Sequence, residues 1–192
     1  MAQASPAVRA AAQQDALEQL DKFEPGARAR VLERLPPDTR QIMLTTSRSA
    51  WVSIEHDHYA VDVIVRLFGP SRAVQYWRGV TNSLIERPIL KSFVSGMVSI
   101  FGDDPGRIIG ILPKGWSLVY RDLCEPVCLR EGEGKTVLRF ENLVPEVRIY
   151  SNYFHSWHGT CLGVADLARI KGKVTFDVAP DQSAATATFF WT

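Results

Sequence analysis

The hydrophobic period changes near residue 106, and that change constrains the fold more than any other feature of the chain. Before it, apolar residues recur at helical spacing; after it, segments of period two flank a single helical one. Leu17, Leu20 and Phe23 lie on one face of a short helix that stops at Pro25-Gly26. ARARVLERL ends before Pro36-Pro37, and Asp38 can cap a third helix running to about Thr46. Ala50 to Phe68 reads as the first long helix, Ser71 to Asn82 as the next, and Pro88 opens another that carries Leu90, Phe93, Met97, Ile100 and Phe101. Gly115 to Asp122 and Thr136 to Glu141 alternate as strands about the turn cluster EGEGK. Tyr150 to Ile170 is helical again, and Lys173–Ala179 and Ala184–Trp191 form a closing hairpin.

This order predicts an α+β fold, with a helical N-terminal half packed on a four-stranded antiparallel sheet and one helix inserted between two hairpins. Residues 1–13, rich in Ala and Gln, are expected to fray, leaving 14–192 as one domain. A chain of 192 residues, 46% hydrophobic, can fill a single core. With 22 basic and 21 acidic side chains, the chain is no electrostatic binder of nucleic acid. Arg66, Arg72, Arg78 and Arg87 are interrupted by acids and aromatics and read as solvated positions. The N-terminus carries Arg9, Asp15 and Glu18 without a signal core, and the best apolar run, ILKSFVSGMVSIFG, is short and contains Lys91, so no membrane span is expected. Three cysteines, an odd number, fit reduced thiols in the cytoplasm.

The segments FGDDP, LPKGW, RFENLVPE, FHSWHGTCLG and the terminal ATATFFWT resemble a myxobacterial paralogous family of similar length with no assigned function. More distantly, the layout is similar to the ligand-binding fold shared by haem-dependent nitric-oxide sensors, vinyl-reductase-like small-molecule-binding domains and Golgi-transport tethering subunits. In the haem-binding members, that resemblance implies an axial histidine on the helix before the sheet and a Tyr-x-Ser-x-Arg propionate clamp. PILKSFVSGMVSIFG contains no histidine, and the nearest string to the clamp, Arg148-Ile149-Tyr150-Ser151-Asn152, has its arginine on the wrong side. No cofactor is therefore expected, haem least of all.

His155, His158 and Cys161 fall at i, i+3 and i+6 of a helix, a set competent for zinc, which Cys124 and Cys128 could extend. Packing explains the same residues without a metal, and no CxxC pair or HExxH supports one. His56 and His58 project about 200° apart on a helix and cannot share a ligand, so one buried histidine beside a solvated one is expected. Ser151 with His155, or Cys161 with His158, lacks the surroundings of a nucleophile elbow or a thiol protease. Asp103-Asp104 reads as a turn cap, and EGEGK is no phosphate cradle. The reading that follows is a non-catalytic sensory module. A small apolar molecule enters between helices and sheet, lined by Phe93, Met97, Trp116, Tyr120, Phe154 and Trp157. In the alternative, those side chains fill the core and the chain is a protein-interaction scaffold, a homodimer or a tether; a zinc or thiol enzyme is the third reading.

Overall fold

A computed structural model describes residues 5–85 and 104–192. Five helices make the first half: α1 (Ala10–Phe23), α2 (Ala27–Arg34), α3 (Pro37–Thr45), α4 (Ile54–Phe68) and α5 (Pro70–Ile85). Two short strands, β1 (Ala7–Arg9) and β2 (Trp51–Ser53), precede α1 and α4. Two short helices follow, α6 (Pro105–Ile109) and α7 (Leu112–Val119), then β3 (Tyr120–Arg121), β4 (Glu125–Arg130) and β5 (Lys135–Glu141). A single turn, α8 (Pro145–Arg148), leads into α9 (Tyr153–Leu167), and β6 (Gly172–Val178) and β7 (Ala185–Trp191) close the chain. The predicted helix of residues 88–101, with Phe93 and Met97, lies outside the described residues. Among the described residues, no helix is long and apolar enough to cross a membrane.

Local chemistry sets the boundaries. The Ser53 hydroxyl accepts from the Glu55 N–H and starts α4, and Gly69, at φ 79°, ends it. The Asp104 carboxylate accepts from the Gly106 N–H and caps α6, with Pro105 in its first turn. Asp104 therefore is the cap expected of it, while Asp103 lies outside the described residues.

The α+β architecture is as the sequence predicts, a helical half against an antiparallel sheet of order β4-β5-β7-β6, with α9 inserted between the two hairpins. Leu138, Phe140, Ala185, Ala187 and Phe189 face the helices and are at most 1% exposed. Three local expectations need correction. Gly115–Asp122 is mostly helix, because Pro113 suits a first helical turn; Trp116 is buried while Leu118 is 50% exposed, whereas a strand would put both on one face. The hairpin partner of β5 is consequently β4. The long helix begins at Ile54, since Trp51–Ser53 pairs with β1 in a second sheet of order β2-β1-β3. Val8 of that sheet is 1% exposed, within the stretch expected to fray.

Helices α5 and α9 approach closely at Gly159 and Gly163, where an added Cβ would lie 2.5 Å from the Val74 carbonyl oxygen and 2.6 Å from the Thr81 Cβ. The pair is tied further along by Arg78, whose Nε and Nη2 donate to both Asp166 carboxylate oxygens at 2.6 and 2.5 Å, and by Asn82 at 2.9 Å. The Arg78 and Asn82 donors hold the Asp166 carboxyl below its ordinary range. Because the Arg78–Asp166 pair is about one-third solvent-exposed, screening limits its value. We expect Asp166→Ala to lose about 1 kcal/mol of folding stability in urea denaturation. A loss above about 3 kcal/mol would mean that the pair acts as a buried one.

Candidate functional site

The helices and sheet meet over aromatic rings. Trp116 from α7 lies 4.9 Å from both Phe140 of β5 and Trp157 of α9, and 4.5 Å from Tyr120. Phe140 and Trp157 are also 4.9 Å apart, and Phe154 meets Trp157 at 5.7 Å. Tyr153, one turn before Trp157, carries the cluster to α4, its ring 5.7 Å from Trp157 and 4.3 Å from His58.

A polar chain runs through this apolar interior. The Tyr153 hydroxyl donates to Asp57 Oδ2 at 2.5 Å, and Gln13 Nε2 donates to Asp57 Oδ1 at 3.4 Å. Tyr120 and Tyr153 are hydrogen-bonded through their hydroxyls. His58, beside Asp57 in sequence, is held between the rings of Tyr150 (4.1 Å) and Tyr153. Helical geometry explains how adjacent residues both turn inward: α4 starts here against β1 and α9, with Gln13 of α1 reaching Asp57.

Several atoms of this group are buried without partners: both ring nitrogens of His58, Gln13 Oε1 and Trp157 Nε1. Buried polar atoms are ordinarily satisfied, so these unpartnered atoms near the Asp57–Tyr153 pair are the feature of this interior that apolar packing does not explain. Burial dominates the titration. It pushes the Asp57 carboxyl up to about 6, against the two donors that favour its charged form. It drives His58 down to about 4, so the imidazole is neutral at neutral pH and its lone pair is available as a metal ligand. The Tyr120 and Tyr153 hydroxyls are raised by burial and by the Asp57 charge.

Of the residues expected to line a ligand, Trp116, Tyr120, Phe154 and Trp157 are brought together here. Periodicity found these rings but missed Asp57, Tyr153 and Gln13, whose partners lie 44 to 96 residues apart. His58 answers the expected buried histidine, while His56 Nδ1 hydrogen-bonds the Thr39 hydroxyl at 2.9 Å.

His155 and His158 instead line a separate open groove between α9 and β6, with Ser151, Phe154, Phe176, Val178, Ala179 and Gln182. The His158 ring stacks on Phe176 at 5.4 Å. Cys161 is buried in the core and its thiol is pushed up to about 12, which leaves it a poor metal ligand or nucleophile. Cys124, likewise raised to about 12, and Cys128 are free. Among the described residues, no group of three or more His, Cys, Asp or Glu is placed to hold a metal ion. Ser151 and His155 share the groove, but no carboxylate lines it to orient the imidazole.

No protein-family model matches the chain, and no curated protein does. The myxobacterial resemblance therefore rests on its motifs alone. The solved structures give a different result. An Fe(II) unliganded H-NOX protein from K. algicida is 6% identical, with a TM-score of 0.67 over 96% of both chains. An H-NOX mutant from T. tengcongensis is 10% identical, at 0.60 over 96% of this chain and 97% of its own. A structure that probes haem distortion in the H-NOX family is 9% identical, at 0.61 over 96% and 95%.

These neighbours, one of them described through its haem, overturn the expectation that this chain takes no cofactor, haem least of all. Residues 88–101 carry no histidine, but an unpartnered imidazole, His58, is buried on another helix, α4. It is packed between the rings of Tyr150 and Tyr153. For the propionate end the string at 148–152 supplies no clamp: Arg148 donates to the Asp181 carbonyl, Tyr150 covers His58, and Ser151 lies in the outer groove. At these identities the likeness establishes the architecture: from the first helix to the last strand, the chain folds as H-NOX domains do.

Proposed function

We propose that the chain is a non-catalytic sensory module. It takes a small apolar or planar ligand between its helical half and its sheet, at the site bounded by His58, Asp57, Tyr153, Gln13 and Trp157. The observation that carries this reading is the group of buried, unpartnered polar atoms around the Asp57–Tyr153 pair. Haem is the first ligand class to test, since the fold is that of H-NOX domains and His58 supplies a neutral imidazole inside it. Bound there, haem would supply iron whose remaining coordination position takes a diatomic gas. His58 would hold the metal, and Tyr120, Trp116 and Trp157 would exclude water. We take residues 7–192 as the ligand-binding domain, since β1 and Gln13 belong to it, the myxobacterial family as its nearer kin, and a reducing cytoplasm as its compartment, in keeping with three free cysteines.

Titration of the protein with haemin, followed in the Soret region, tests the reading. We expect saturation at one equivalent for wild type and a shifted, weaker band for His58→Ala. Unsaturable binding that is identical in both proteins would contradict the assignment. One observation favours the second reading, a scaffold with a filled core: Trp116, Phe140 and Trp157 already touch one another where a ligand would lie.

A further inference from the structure

The groove between α9 and β6 holds polar groups that the fold itself does not use. Its volume is about 440 Å³, within the range of small-molecule sites. Phe154 of α9 with Phe176 and Val178 of β6 gives it an apolar wall, and the His158 ring lies nearly parallel to Phe176, at 13°. His155 lines the α9 side, and Gln182 comes from the turn between β6 and β7. That turn is fixed by its own bonds. The Gln182 N–H donates to the Ala179 carbonyl at 2.8 Å, and the Ser183 N–H and hydroxyl both donate to the Asp181 carboxylate, at 3.1 and 2.7 Å. Arg148 donates to the Asp181 carbonyl at 3.2 Å. Gln182 is thereby held at φ 56°, the left-handed region that residues with a Cβ rarely adopt.

Three observations define what such a groove can hold. The Gln182 Oε1 atom is buried and, among the described residues, accepts no hydrogen bond, a cost that a donor arriving from outside would remove. Burial pushes both imidazoles below their ordinary range, at His158 with help from His155, so the rings are neutral at pH 7 and each offers one donor and one acceptor. Neither ring hydrogen-bonds another described residue. Finally, no carboxylate, ammonium or guanidinium among the described residues lines the groove, so a charged ligand would give up hydration without gaining a counter-charge. We propose that the groove is a second binding site, separate from the interior one, for an uncharged aromatic molecule that carries an N–H or O–H donor, the class of indole and phenol. Its ring packs against Phe154, Phe176 and Val178, and its donor meets Gln182 Oε1. Because the groove is open to solvent, binding is weak and exchange is fast.

Indole titrated into the isotope-labelled full chain, with the imidazole resonances of His155 and His158 as the readout, tests the proposal. We expect both rings to shift saturably, with a Kd of about 1 mM or below. Benzofuran has the same bicyclic shape without the N–H, leaves the Gln182 oxygen unsatisfied, and should bind at least about tenfold more weakly. This comparison uses the wild type alone. Gln182→Leu, checked by an unchanged melting temperature, should erase the preference and bind the two compounds within about twofold of each other. Resonances of His155 and His158 that stay in place up to about 10 mM indole, equal affinities of wild type for the two compounds, or an undiminished preference in Gln182→Leu would each overturn the proposal.

Discussion

Gly159→Ala and Gly163→Ala are each expected to lower folding stability by about 3 kcal/mol, the upper range for overpacking a close contact. At Gly159 the new methyl would meet the Val74 carbonyl oxygen, the Trp77 Cβ at 2.6 Å and the Arg78 nitrogen at 3.0 Å. At Gly163 it would meet the Thr81 Cβ and Cγ2, the latter at 2.8 Å, and the Arg78 carbonyl oxygen at 3.0 Å. These are backbone and stem atoms of one helix, which cannot swing aside as a side-chain tip can, so α5 and α9 must separate. Separation would carry Trp157 and Tyr153 with α9 and loosen the interior site. Alanine favours an isolated helix by about 1 kcal/mol over glycine, so a net loss isolates the steric effect. Gly79→Ala, on α5 but with nothing within 4 Å of its added Cβ, is the matched control and should gain up to about 1 kcal/mol. Denaturant midpoints for the three variants decide the matter. Equal stabilities for Gly159→Ala, Gly163→Ala and wild type would show that the helices do not pack as described.

The second large effect concerns pH. The Asp57 carboxyl, ordinarily at 3.8, is pushed up to about 6 by burial, so the folded protein holds this proton more tightly than the unfolded chain. Its contribution to stability is full below 3.8 and is lost as pH rises through about 6, a change of about 3 kcal/mol. His58 works in the opposite sense. Held down to about 4 from 6.5, it contributes stability that is full above 6.5 and is lost as pH falls through about 4, again about 3 kcal/mol. Between pH 4 and pH 6.5 the two slopes offset, and wild type should be nearly flat. Asp57→Asn removes one slope, so this variant should lose about 3 kcal/mol between pH 7 and pH 4. His58→Gln should gain a similar amount over the same interval. Urea denaturation at pH 7, 5.5 and 4 reads both. Parallel pH profiles for all three proteins would mean that neither group is buried in the folded state.

The legible parts of the fold were those where period and punctuation agree. Ala185, Ala187 and Phe189 alternate with Thr186, Thr188 and Phe190, which gives both a strand and its buried face. Gly69-Pro70 separates α4 from α5 without ambiguity. Trp116, Leu118 and Tyr120 misled because spacings of two and four satisfy a strand and the end of a short helix equally. The β1 strand was hidden because three residues are too few to show a period, and its pairing with Trp51–Ser53 spans 44 positions. The site divided along the same line. Ring-bearing positions are local and were visible, whereas the polar chain from Gln13 through Asp57 to Tyr153 is assembled by three helices. Beside Glu55 and His56, Asp57 carries no mark of burial in the sequence; the arrival of α9 from the far end of the chain makes it a buried acid.

Native mass spectrometry of wild type and His58→Ala, both expressed with a haem-precursor supply and purified without added ligand, tests the central claim most directly. The account predicts one bound organic group per chain in wild type, with the mass of the group giving its identity, and its loss in the variant. A bare polypeptide mass in wild type, or the same bound mass retained by His58→Ala, would contradict it.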